Sequence, residues 1–467
     1  MYRLDGQDAV FLYRETPAAM MHTLKVHLIK PLGPHGSVDE FCDRLEQTIL
    51  ANPFARLRIV PVPFGLHHPL MVEDPDFDIG AHIFRAAIPA PGGMRELDAM
   101  VAQIGGTLLS RSRPLWEAWV LEGLDSGHIA VVHKLHHSMA DGMAYVGQIK
   151  RGWQKRTTVA QETVPTAPLP GATRLIWDAL ADHVKQDVWK VWPLVRSFTG
   201  HLRELRRRDR LADEPRINPL TADFPRLRFN RALGIRRSFA SGQLSLAEIK
   251  SIKQVLGVTL NDVVLAIVAG ALRSYLSAHD ELPDAPLAVS IPVGADDPGA
   301  GREIGNRVTA LMSMLHTEIA DPVERLHAIK ADTEKGKQDL AVFGKQHWGE
   351  LMQYVPPALM SWSCRRKFRL KPANRENFRP NCNIVISNVP GPRERLGDAH
   401  GELEAIYSVG VLGEGLGLNV TFWSYMDQLN IGILACNKAV PDVYSLLDAI
   451  PESVRELSAA TQLCQAG

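Results

Sequence analysis

Apolar positions along this chain change rhythm, and each rhythm predicts a class of element. From the N-terminus to about Lys155, short apolar runs alternate with turn signals such as Pro89-Ala-Pro-Gly-Gly93 and Asp125-Ser-Gly127, the pattern of a mixed α/β lobe. Residues 114–124 and 127–137 flank a tight Asp125-Ser126 turn and predict a β-hairpin. With Leu124 facing Gly127 across the turn, His136 falls opposite Leu115 and His137 opposite Pro114. Period-two alternation then puts Ile129, Val131, His133, Leu135 and His137 on one strand face, and Ala130, Val132, Lys134 and His136 on the other. A helix is expected from about Asp141 to Trp153.

Periodicity disappears over residues 157–172, which are rich in Pro, Thr and Ala, as linkers are. Spacings of three and four return between Thr173 and Arg210 at Leu175, Ile176, Leu180, Val184, Val188, Val191, Leu194 and Val195, ending in Arg206-Arg207-Arg208. This reads as a basic amphipathic helix, broken at Pro193. It either packs on a lobe with a solvated basic tail or attaches to an anionic lipid surface. From Arg226 onward a helix is expected over Leu260 to Leu276, with strands near Leu287 to Val293, Asn383 to Ser387, Asn419 to Tyr425 and Leu429 to Leu434. The expected organisation is one lobe over 1–155, a helical linker over 156–225 and a second α/β lobe over 226–467.

Composition narrows the function. The 467 residues carry 52 Lys plus Arg against 52 Asp plus Glu, so no global field recruits nucleic acid. Five cysteines without a Cys-x-x-Cys pair suggest a reduced, cytoplasmic and metal-free protein. The start lacks the apolar run of an export signal, and the longest apolar run, Val263 to Leu272, is too short to cross a bilayer, so membrane contact is expected to be peripheral.

The candidate chemistry lies at the end of the hairpin. Zinc is disfavoured at His133, His136 and His137, because the first and last are about 13 Å apart along a strand and the middle one points away. Ser138 is a weak nucleophile candidate, since it is a sequence neighbour of His137 and no Gly-x-Ser-x-Gly elbow occurs. What remains is a histidine at a strand end, suited to act as a positioned general base. It is followed by Asp141, able to cap the next helix or pair with an arginine, and by Gly142, able to pack closely.

The string His136-His137-x-x-x-Asp141-Gly142, preceded by Pro114-Leu115-Trp116, resembles the bacterial wax ester synthase/acyl-CoA:diacylglycerol acyltransferase family. Val60-Pro-Val-Pro-Phe-Gly65, Asn261-Asp262-Val263-Val264-Leu265, Asn388-Val-Pro-Gly-Pro392 and Gly417-Leu-Asn419 resemble family segments in the same order. The resemblance implies two chloramphenicol-acetyltransferase-like lobes, each a mixed sheet with flanking helices, around an active-site tunnel. It also implies acyl-CoA as co-substrate and diacylglycerol or a long-chain alcohol as acceptor, while peripheral contact with membrane or lipid bodies is what the basic helix offers. No metal or prosthetic group is implied. By resemblance His137 is the general base and His136 supports it. Pro114, Leu115 and Trp116 are expected beside substrate. Asn261, at the start of its helix, is expected either to approach developing negative charge or simply to cap. The Asn388-to-Pro392 segment is expected to form a sharp turn between lobes. A lipid-binding protein without turnover, or transfer to another hydroxyl or amine, are the rival functions.

Overall fold

The computed structural model describes residues 2–32, 37–154, 169–185, 223–294, 305–343 and 347–466, with isolated residues between 192 and 207. Its strands are β1 (Tyr2–Arg3), β2 (His22–Pro31), β3 (Leu57–Val60), β4 (Leu70–Glu73), β5 (Ile83–Ala87), β6 (Trp116–Glu122), β7 (Ile129–His136), β8 (Arg237–Ser245), β9 (Ala288–Gly294), β10 (Val308–Met314), β11 (Ile384–Pro390), β12 (Gly401–Val409), β13 (Leu418–Tyr425) and β14 (Gln428–Cys436). Two large mixed sheets result, ordered β12-β2-β7-β6-β5 and β10-β9-β11-β13-β14-β8, with a small β1-β4-β3 sheet beside them.

The β6-β7 hairpin has the register that the turn dictates. Trp116 pairs with Leu135 and Ala118 with His133, and the Gly127 amide donates to the Leu124 carbonyl at 2.9 Å. Gly127 sits at φ 74, a left-handed position that costs glycine little. Alternation sorts the side chains of β7 as expected. Ala130 and Val132 share a core with Leu24, Leu97 and Val101, whereas Ile129 and Val131 pack toward Tyr145 and Trp423.

In the second lobe, helix Leu260–Ser277 is apolar around its whole circumference between Val263 and Leu272, and that stretch is accordingly enclosed. A reciprocal box opens it: the Thr259 amide donates to Asp262 Oδ2 at 2.9 Å and the Asp262 amide to Thr259 Oγ1 at 3.2 Å. Although long and apolar enough in composition to cross a bilayer, the helix is a core element. It shares that core with Val420 and Phe422 of β13. The alternate residues, Trp423 and Tyr425, turn to the opposite face and meet the first lobe.

The expected boundary of the C-terminal lobe needs correction, because 226–467 does not close on itself. After β11, the chain crosses to the first sheet and adds β12 to the edge of β2, with Tyr407 opposite Val26 and Ser408 opposite Lys25. The crossing turn is tight. A Cβ on Gly391 would lie 2.1 Å from the Ser424 carbonyl oxygen, so no side chain fits there. Of the expected basic helix, Ala172–Lys185 is described. Its Leu175 packs on Leu70 and Val72, and its Asp182 pairs with Arg3 at 2.6 Å. Arg206, Arg208 and residues 157–168 of the linker lie outside the described residues.

Candidate active site

The loop after β7 joins the two lobes. The Asp141 amide donates to the Gly305 carbonyl at 3.2 Å, and the Gly305 amide to the Met139 carbonyl at 2.8 Å. Asp141 is buried and divides its carboxylate: Oδ1 accepts from the Ala144 amide, capping helix Gly142–Gln154, and Oδ2 accepts from the Arg307 amide, both at 2.9 Å. Gly142 packs on the second lobe, where an added Cβ would meet Val389 at 3.1 Å. Asp141 and Gly142 thus hold the loop to both lobes, the role that their residue types suggested.

The two histidines face opposite ways. His136 has no exposed surface. Its Nδ1 accepts from the Ser138 amide at 3.2 Å, so the ring proton sits on Nε2, which lies 3.2 Å from Glu15 Oε2. Burial lowers the pKa of His136. Burial works against the Glu15 carboxylate, but His136 and Arg111 outweigh it and hold that group at about 2. His136 is therefore locked into the first lobe and has no face left for substrate.

His137 keeps partial exposure, as do Leu135 and His133 on the same strand face, whereas Lys134 and His136 between them have none. The His137 ring stacks on Phe11 with centroids 4.2 Å apart, and its Nδ1 lies 2.7 Å from Asn306 Oδ1. The Asn306 amide nitrogen donates to Asp8 Oδ1 at 2.8 Å and to the His137 carbonyl at 2.5 Å. Its oxygen therefore faces the ring, and His137 Nδ1 must carry the proton. Nε2 is left as a lone-pair base. Burial, reinforced by the nearby Lys25 charge, lowers the His137 pKa to about 4, so the ring is neutral and basic at physiological pH.

The structure brings His136, His137, Asp141 and Gly142 into one loop and places Pro114 and Leu115 alongside it: the His136 amide donates to the Leu115 carbonyl at 2.9 Å. Trp116 stands one position further along. It is buried, stacks on His82 and donates from Nε1 to the Ala55 carbonyl at 2.8 Å. Asn261 does not join this constellation. Its helix packs on the face of the second sheet turned away from Trp423, and the cap is made by Thr259 and Asp262, leaving the Asn261 side chain neither a capping bond nor a bond to the histidine loop.

Four residues emerge that sequence reasoning missed. Asp8, Phe11 and Glu15 lie on or just after helix Gly6–Arg14 at offsets of three and four, one face of the helix, and reach Asn306, His137 and His136 respectively. Acids on the same stripe as Ala9 and Leu12 were the available signal. Asn306 had none, being a lone amide between Gly305 and Arg307. Among the described residues, no group of three His, Cys, Asp or Glu side chains is placed to hold a metal ion. The arrangement offers a fixed-tautomer base beside accessible space, with both lobes bonded to the loop that carries it.

Comparison with known proteins identifies the family. Residues 4–264 match the wax ester synthase/diacylglycerol acyltransferase catalytic domain, and residues 304–458 match the WS/DGAT C-terminal domain. A relative from Mycobacterium tuberculosis, named as a diacylglycerol O-acyltransferase, is 36% identical over 99% of this chain and 98% of its own length. A wax ester synthase/diacylglycerol acyltransferase from Marinobacter aquaeolei VT8 superposes with a TM-score of 0.66 at 26% identity, covering 98% of this chain and 100% of the other. A trichothecene 15-O-acetyltransferase from Fusarium sporotrichioides shares the fold at 11% identity, with a TM-score of 0.61 over 98% of this chain and 94% of its own. With both family domains matched in order and relatives aligned end to end, the chain belongs to the wax ester synthase/diacylglycerol acyltransferase family and is an O-acyltransferase.

Proposed function

We propose that this enzyme transfers a fatty acyl group from acyl-CoA to the hydroxyl of diacylglycerol or a long-chain alcohol, giving triacylglycerol or wax ester without a covalent acyl-enzyme. The observation that carries the reading is the His137 tautomer: Nδ1–H is held by Asn306, and Nε2 is the free base. A thioester is already activated, so the protein's task is to deprotonate the acceptor and orient the two substrates. Nε2 takes the hydroxyl proton as the oxygen attacks the thioester carbonyl. When the tetrahedral intermediate collapses, the carbon–sulfur bond breaks and the imidazolium returns that proton to the CoA thiolate. Pro114, Leu115 and Trp116 wall the reacting end. The test is CoA release from palmitoyl-CoA with a panel of diacylglycerol, hexadecanol, short alcohols and amines. Release only with diacylglycerol or hexadecanol is expected. Release with amines alone, or with no acceptor, overturns the reading.

The same proposal places the enzyme peripherally on an anionic lipid surface, on the inner face of a membrane or on lipid bodies. Phe64 projects from turn Pro63–Gly65 at φ 59 and is 83% exposed. That turn touches both helix Ala172–Lys185, which exposes Trp177 and Leu180, and helix Pro357–Leu370, which exposes Leu359 and Trp362. The latter helix carries Arg365, Arg366, Lys367 and Arg369 and no acid. Exposed aromatics beside clustered cations match the interface of an anionic bilayer. Flotation with phosphatidylserine vesicles is expected for wild type and lost in a Phe64→Ser, Trp362→Ser double variant. Equal flotation of both overturns the docking surface.

A further inference from the structure

Lys25 is a buried cation to which the fold gives no acid partner. It lies on β2 opposite His133, on the same sheet face as His137. Its ammonium donates to Ser408 Oγ at 2.7 Å and lies 5.7 Å from the ring centroids of Tyr145 and of Trp423. Among the described residues it makes no ion pair within 4.0 Å, and the remaining two N–H groups have no hydrogen-bond partner. The other face of the same strands shows what the chain does elsewhere: Lys134, also buried, is given Glu117 at 3.4 Å and Thr107 at 2.8 Å. A buried charge without a counter-ion is costly, and weak attraction to two aromatic rings offsets only part of that cost.

The surroundings of Lys25 are rich in polar side chains. His27 and His133 face each other with ring centroids 4.8 Å apart, and Tyr145 Oη lies 3.2 Å from His27 Nε2. His27, Lys25, Tyr145 and Ser408 are all buried, while His133, Leu135 and His137 keep partial exposure in a row along β7. The partly exposed row thus leads from His133, the strand partner of Lys25, to the base, across four strand residues, or about 13 Å. An alkyl chain lying there would strip water from the ammonium and return nothing, whereas a carboxylate would accept its free N–H groups.

We propose that Lys25, with Ser408 and Tyr145, forms a subsite for a carboxylate on the acceptor, and that the enzyme's acceptors include hydroxylated carboxylic acids. This deepens the reading of the enzyme as an acyl-CoA:alcohol acyltransferase and rests on it. The reacting end is unchanged: the hydroxyl meets His137, and the carboxylate is held, not transformed. The groups facing the ammonium are His27 from β2, His133 from β7, Tyr145 from helix Gly142–Gln154, and, at the loop, His137 and Asp141. Burial drives His27, His133 and His137 below the physiological range and Tyr145 above it. Burial lowers Lys25 to about 7, opposed by the Asp141 charge, so it is the group of this set that gains or loses charge near neutrality.

The experiment compares ω-hydroxydecanoate and ω-hydroxyhexadecanoate with decanol and hexadecanol at one acyl-CoA concentration, reading the kcat/KM ratio of each acid to its matched alcohol. In wild type the ratio is expected to be highest below pH 7 and to fall as pH rises through about 7, where the cation is lost. Lys25→Met is expected to lower the ratio by roughly ten- to a hundredfold, as removal of a charge-assisted bond does, and Lys25→Arg to retain most of it. Alkanol turnover without hydroxy-acid turnover overturns the subsite, as does an equal loss on both acceptors in Lys25→Met. The wild-type pH dependence of the ratio decides the matter if that variant does not fold. Absence of CoA release with every acceptor refutes instead the underlying acyltransfer reading.

Discussion

Replacing Asn306 with alanine isolates the part of the site that gives His137 its tautomer. Asn306 Oδ1 accepts the Nδ1 proton at 2.7 Å, and its amide nitrogen anchors to Asp8 and to the His137 carbonyl. Without it, a buried N–H loses its partner, at a cost of about 1–3 kcal/mol. That cost falls on the tautomer needed for proton abstraction, so at 1.36 kcal/mol per tenfold the expected loss in kcat/KM is roughly five- to 150-fold. It should appear in kcat more than in KM, because substrate contacts remain. The pH profile supplies an independent check. Wild-type kcat/KM should fall as pH drops through about 4, where His137 protonates. The Asn306 bond raises the His137 pKa, so Asn306→Ala should move this acid limb downward. CoA release from palmitoyl-CoA with hexadecanol, measured beside thermal unfolding, gives both numbers. Wild-type kcat/KM with an unmoved acid limb would refute the claim that Asn306 sets the tautomer.

Further outcomes follow from neighbouring contacts. Asp141→Asn replaces a carboxylate oxygen that accepts from either Ala144 or Arg307 with a donor. It should lower unfolding free energy by about 1–3 kcal/mol and reduce kcat, with unchanged denaturation midpoint as the contrary result. The Glu15 carboxylate, held at about 2 against an ordinary 4.5, contributes stability that is fully present above pH 4.5 and is lost as pH falls toward 2. Glu15→Gln should therefore cost on the order of 3 kcal/mol above that window and flatten the acid denaturation curve, read from urea midpoints across pH. Gly391→Ala puts a Cβ 2.1 Å from the Ser424 carbonyl oxygen and should lower the melting temperature, whereas unchanged melting would show that the turn can yield.

The features that the sequence made legible are local ones. A short turn fixes hairpin register, and register with alternation separates His137 from His136 and sets Pro114 and Leu115 beside them. Of Asn388 to Pro392, expected as a turn, residues 388–390 pair with β13 inside β11, and the chain leaves the strand only at Gly391. What escaped depends on distant pairing. The strand Gly401–Val409 has nothing in its own residues to say that it belongs to the first sheet, since its partner β2 lies some 370 residues earlier. Asn306 reaches His137 across 169 residues and carries no motif. At Asn261 a polar residue at a helix start fits both a cap and an oxyanion site, and the cap is made by its neighbours Thr259 and Asp262.

The central claim is that His137, through Nε2, deprotonates the acceptor, while His136 serves the architecture. The direct measurement is acceptor-dependent CoA release by His137→Ala and His136→Ala, each with its melting temperature. His137→Ala should lose roughly 10² to 10⁴ in kcat/KM while melting close to wild type, as loss of a general base does. His136→Ala should melt lower, because it opens a buried void and leaves Glu15 held by Arg111 alone. Wild-type turnover by a folded His137→Ala would contradict the account.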